Sequence, residues 1–226
     1  IKIYLYNINI YIYIYIYKYL YMTIHTIGDS HSFYGFDTNK TNKSSDIINH
    51  HITPATLAYS VGRDKLNRLD IRKFDNIKDN DILIFSFGEI DCRCNIKKHT
   101  TEENYKENID NIVLNYIETI KLNISLLEIK IKKICIYNVV PPPHKNGSLE
   151  NKDYPFLGTD DERLNYALYF NKKLKEHCEY NNYVFFDVYE KYSDKFGFLI
   201  PEYSDGHVHI INSKFINEFI KSNVCN

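Results

Sequence analysis

Two strings, Gly28-Asp29-Ser30-His31 near one end of the chain and Ser204-Asp205-Gly206-His207-Val208-His209 near the other, hold the residue types of acyl-transfer chemistry. A serine hydroxyl is a weak nucleophile until an oriented imidazole takes its proton, and a carboxylate beside that imidazole fixes the useful tautomer. Ser30 supplies the alcohol, His209 the base and Asp205 the orienting acid, with His207 a reserve candidate for the base. A glycine at 28 permits the sharp turn that displays the serine, and amides following a strand end can point at a developing oxyanion. Asp29 is read as bonding local amides, as a short acid in a turn does. His31 is read as packing, because it cannot easily fold back onto the neighbouring hydroxyl.

Strings this far apart need a scaffold that brings them together. Short runs rich in Ile, Val, Phe or Tyr predict strands at 23–28, 81–88, 132–140 and 183–189, with a weaker one at 55–60. Between them, 101–130 and 160–180 carry apolar residues at helical spacing, as does the tail at 212–222. Strand and helix in alternation predict an α/β fold, a three-layer sandwich with a doubly wound parallel sheet, because parallel neighbours need crossovers that cover both faces. Ligands in such sheets sit beyond the carboxyl ends of the strands. The loops holding Gly28–His31, Gly62, Gly88-Glu89-Ile90-Asp91 and Asp205–His209 all fall there, and the long loop at 141–159 is expected to wall the cleft.

The block Gly28-Asp29-Ser30 and the closing Asp205 and His209 resemble the SGNH/GDSL hydrolase superfamily over about residues 23–222. The resemblance implies a flavodoxin-like sandwich and a carboxylic ester hydrolase working through an acyl-enzyme on Ser30, with no cofactor. It also implies a small-molecule ester as substrate, most often a short acyl group on a carbohydrate. The oxyanion hole it implies is built from the amides of Ser30 and Gly62. Two departures stand out. Ile90 occupies the place of an asparagine that donates to the oxyanion in the family, so either Arg93 or another neighbour supplies that donor or two amides suffice; one such donor is worth about 2.7–4 kcal/mol. The spacing from Asp205 to His209 is four where the family has three. Asp29, Glu89, Asp91, Arg93 and His207 are further candidates for substrate or oxyanion contacts.

Two rival readings use the same residues. Asp29-x-His31 and Gly206-His207-x-His209 match metal-binding strings of calcineurin-like metallophosphoesterases, but the Gly-Asn-His string of that family is missing from the chain. A catalytically inactive SGNH-fold binding module is the other.

With a formal net charge of -1 and scattered Lys and Arg, the chain shows no electrostatic footprint for nucleic acid or an anionic membrane. The 5 cysteines lack zinc or redox spacing and read as reduced, buried thiols, which points to the cytoplasm. Residues 1–21 alternate Ile and Tyr, as translated alternating A and T would, and the sole methionine is Met22. The expectation is a low-complexity leader from an AT-rich genome, with synthesis starting at Met22 and a single domain over 22–226. Lys2, Asn7, Asn9 and Lys18 make that leader a poor membrane span.

Overall fold

A strand covered on both faces favours apolar residues, and the central strand ILIFS has four before its closing serine, with every residue buried. The computed structural model describes residues 22–36, 47–74 and 76–225. Within them a single sheet runs in the order β2-β1-β3-β4-β5, parallel throughout. Its strands are β1 (Thr23–Gly28), β2 (Ile47–Ile52), β3 (Ile82–Ser86), β4 (Lys133–Tyr137) and β5 (Val184–Phe186). The leader at 1–21 lies outside the described residues, as does the stretch 37–46.

Helices α1 (Ala58–Asp64), α3 (Tyr105–Ser125) and α4 (Asp160–Asn181) cover one face, burying Val61, Ile112, Tyr116 and Phe170 against Leu83 and Phe85. On the other face α6 (Lys214–Phe219) and the turn that continues it bury Ile216, Ile220 and Val224 against Ile24, Ile84 and Phe186. Short α2 (Ile96–His99) and α5 (Tyr189–Tyr192) complete the helices. The arrangement is the expected three-layer sandwich. A Thr159–Glu162 capping box starts α4 by meeting two of its free amides reciprocally.

The weak strand expected at 55–60 is a helix start instead, and the second strand lies at 47–52. That strand is at the sheet edge, where one side faces solvent, so Asn49, His50 and His51 are tolerated in it and mask its apolar pattern. The order places β1 between β2 and β3, so the chain leaves β1 toward one side and later returns on the other. This switch point opens a crevice at the carboxyl ends of β1 and β3.

Candidate active site

β1 and β3 approach so closely at their exits that a Cβ on Gly28 would stand 2.1 Å from the Ser86 carbonyl oxygen. Only glycine fits, and the chain turns there into a short helical turn at Ser30–Ser32. Asp29 caps that turn, its Oδ1 accepting from the His31 amide at 2.9 Å. Ser30 is thereby lifted to the crevice, and its amide donates to nothing among the described residues.

The last loop brings an imidazole to that hydroxyl. Asp205 Oδ1 accepts from the amides of His207 (2.8 Å) and His209 (3.2 Å), folding the loop around its own carboxylate. Asp205 Oδ2 lies 2.6 Å from His209 Nδ1, and His209 Nε2 lies 2.8 Å from Ser30 Oγ. A carboxylate only accepts, so Nδ1 carries the proton and Nε2 offers its lone pair to the serine hydroxyl. Burial raises the Asp205 carboxyl, but the His209 bond and the two amides outweigh it and hold it below its ordinary range. Burial and the neighbouring His31 lower His209, which favours the neutral imidazole a base requires.

Around this chain lies a cleft of about 570 Å³ lined by Ser30, Tyr34, Ala55, Ile90, Arg93 and His209 among others. The loop expected as a wall supplies Leu149, Asn151 and Tyr154. His207 also lines it, but its Nδ1 is bound 2.8 Å from the Leu149 carbonyl, so it faces the cleft from the side while His209 holds the serine.

Several expected contacts lie elsewhere. Gly62 is in the last turn of α1, packed so tightly on α3 that a Cβ would stand 2.8 Å from Asn115 Cβ, away from the cleft. The stretch before it, expected as a strand at 55–60, is a turn and the start of α1, so Gly62 falls inside a helix and not at a strand exit. Asp91 is fully buried behind the wall, where its oxygens accept from the Ala58 (2.7 Å) and Tyr59 (3.2 Å) amides and cap α1, which lacks a side-chain cap of its own. Burial pushes its carboxyl up to about 7. Asp29 and Glu89 are buried beneath Ser30 and do not face the cleft, because their turns point them inward. Arg93 does line the cleft, but its Nε pairs with Glu89 Oε1 at 3.0 Å and its Nη1 donates to the Tyr154 carbonyl at 3.0 Å.

Two cleft residues escaped the sequence reading. Tyr34 stacks on His209 with ring centroids 4.1 Å apart, and it hides among 21 tyrosines. Ala55 has φ +55, a left-handed conformation that costs a non-glycine residue about 1–2 kcal/mol, and its amide donates to nothing among the described residues. The signal was Pro54-Ala55 after a strand, obscured by the misplaced strand. Strain at a cleft with a free amide is what an anion-binding turn would show.

The metal-binding strings do not converge. Asp29 faces an amide, His207 a carbonyl, and His209 the serine and Asp205; among the described residues no three His, Cys, Asp or Glu side chains are grouped as ligands. Cys92, Cys94, Cys135 and Cys178 are buried free thiols, while Cys225 is half-buried. No helix among the described residues is long and apolar enough to cross a membrane.

No family model and no curated protein matches the sequence. Solved structures do match. A Streptococcus pneumoniae protein assigned as a platelet activating factor superposes with a TM-score of 0.56 at 17% identity, over 89% of this chain and 82% of that one. A Bacteroides fragilis protein assigned as an acylhydrolase gives 0.51 at 14% identity, over 88% and 84% of the two chains. A Desulfitobacterium hafniense protein assigned to the lipolytic G-D-S-L family gives 0.50 at 12% identity, over 88% and 97%. The chain has the SGNH/GDSL hydrolase fold.

Proposed function

We propose that the protein is a serine esterase of SGNH type, cleaving a carboxylic ester through an acyl-enzyme on Ser30. The observation that carries this reading is the continuous chain from Asp205 through His209 to Ser30, with both links under 3 Å and the hydroxyl facing a cleft. His209 Nε2 takes the Ser30 proton as Oγ attacks the acyl carbon, and the same proton passes to the departing alcohol. Water then repeats the sequence on the acyl-serine. The free amides of Ser30 and Ala55 are the oxyanion donors, and Ile90 adds none. The shared fold of the protein assigned as an acylhydrolase supports this chemistry.

The alcohol is read as a carbohydrate bearing a short acyl group. Arg93, Asn151 and His207 give the cleft polar walls, and the rings of Tyr34 and Tyr154 give flat apolar ones, a mixture suited to a hydroxyl-rich ring. His207 spends its Nδ1 proton on Leu149, so its Nε2 is an acceptor for a substrate hydroxyl when the ring is neutral.

A fluorophosphonate probe should label the full chain and leave Ser30→Ala unlabelled. The same variant should lose p-nitrophenyl acetate hydrolysis by a factor on the order of 10³ or more. Labelling or turnover retained in Ser30→Ala would overturn the assignment.

A further inference from the structure

Beneath the triad lie four ionisable side chains that are almost wholly buried. Asp29 and His31 come from the turn after β1, and Glu89 and Arg93 from the turn after β3; none is more than 8% exposed. Glu89 Oε2 lies 3.5 Å from His31 Nε2, and its Oε1 lies 3.0 Å from Arg93 Nε. Yet Asp29 Oδ2, His31 Nε2, Glu89 Oε2 and Arg93 Nε all lack an aligned hydrogen bond. The groups are held at ion-pair range and are coupled by charge more than by directed bonds. The His31 ring meets the His209 ring on its other side, with centroids 4.9 Å apart and planes tilted by 45°.

We propose that His31, held by Glu89, is a positioning residue that carries a positive charge against His209 and thereby keeps the catalytic imidazole unprotonated in mildly acidic solution. The inference rests on the esterase reading for its kinetic consequence, but not for the charge itself.

A buried carboxylate is costly unless compensated, and Glu89 has two cationic partners placed at its two oxygens. Those partners outweigh the effect of burial and hold Glu89 down at about 2, so it remains a carboxylate. Burial by itself lowers His31, but Glu89 and Asp29 outweigh it and raise the imidazole above its ordinary range. Asp29, pushed up to about 6 by burial, becomes an anion near neutrality and then adds its own charge beside His31. Facing His209 are therefore His31 and the more distant Glu89 from below, Asp205 from its own loop and the stacked Tyr34 ring. His207, in the same loop, is turned to the Leu149 carbonyl. The sign follows from Coulomb's law: a cation at ring-contact distance disfavours a second proton on His209. In the low-dielectric layer under the cleft, the Asp205–His209 pair would otherwise retain its proton to higher pH and be useless as a base there.

Glutamine at 31 keeps a donor for Glu89 but cannot be charged. With p-nitrophenyl acetate, His31→Gln should move the acid limb of the kcat/KM profile upward by about one pH unit, a loss of about tenfold on the acid side that fades above neutrality. A uniform loss at every pH, with the limb in place, would mean that His31 only packs. Histidine Cε1–H NMR titration of the wild-type full chain provides the second measurement. His31 should keep its proton to higher pH than His209, and the His209 midpoint should rise in His31→Gln. A His31 that deprotonates before His209 overturns the proposal. If the ester is not hydrolysed at all, the esterase reading fails while the titration still decides the charge.

Discussion

At the carboxyl end of β1, Asp205, His209 and Ser30 form a chain that opens on a cleft; at the amino end, Asp81, His25 and His51 form one that runs from a buried carboxylate to a half-buried ring in the edge strand. The lengths are alike. Asp81 Oδ2 lies 3.0 Å from His25 Nε2, and His25 Nδ1 lies 2.8 Å from His51 Nε2. Asp81 also accepts from the Thr23 and Lys78 amides at 3.0 and 2.7 Å, so its carboxylate ties the start of β1 to the turn before β3. The third member differs. His51 is stacked between His25 and Phe74, the latter at 4.3 Å, whereas Ser30 faces the cleft. An aspartate–histidine pair is therefore a general device for fixing a ring, and chemistry depends on what the ring touches next and whether a reactant can reach it.

Matched substitutions break the comparison most sharply. Asp205→Asn should lower kcat by about 10³–10⁴, by removing the acceptor that fixes the His209 tautomer. Asp81→Asn should leave kcat of the folded protein nearly unchanged and instead cost about 1–3 kcal/mol of stability in denaturant titration, since one buried donor loses its acceptor. The reverse pattern would mean that the roles of the two chains are exchanged.

A smaller effect separates them by pH. Burial and the neighbouring His25 and His50 lower His51 from 6.5 to about 4. The unfolded chain binds this proton first as pH falls, so His51 costs stability on acidification from about 6.5 toward 4. Subtracting the His51→Phe melting profile from that of the wild type should isolate this slope, because the opposite contributions of Asp29 and Asp91 cancel in the difference. A flat difference would deny His51 that role. The smallest effect is expected at the cleft wall. His207→Ala should weaken p-nitrophenyl acetate turnover by less than about tenfold, chiefly through KM, if the base is His209 as proposed. Complete loss would move the base to His207.

Much of this was legible in the sequence because it is encoded locally. The strand ILIFS announces burial by its composition, the helix 160–181 by its cap and period, and the nucleophile turn by a glycine followed by a short acid. The edge strand is illegible in the sequence because half-exposure removes the apolar signal, and the turn at Ala55 that follows it is hidden with it. His31 was legible as a packed residue. Its partner Glu89 lies far along the chain, after another strand, so its electrostatic setting was not.

What the sequence determined by itself is therefore the set of elements and the pair of loops carrying serine, acid and base, since periodicity and turn chemistry act between near neighbours. What the tertiary structure decided is which of the many acids and imidazoles meet. Asp29, Glu89 and Asp91 look alike as candidates in the sequence, yet the fold buries all three, while Ser30 and His209 line the cleft. Whether a polar side chain meets a substrate or braces the floor beneath it depends on contacts between strands distant in the chain, and no local pattern records them.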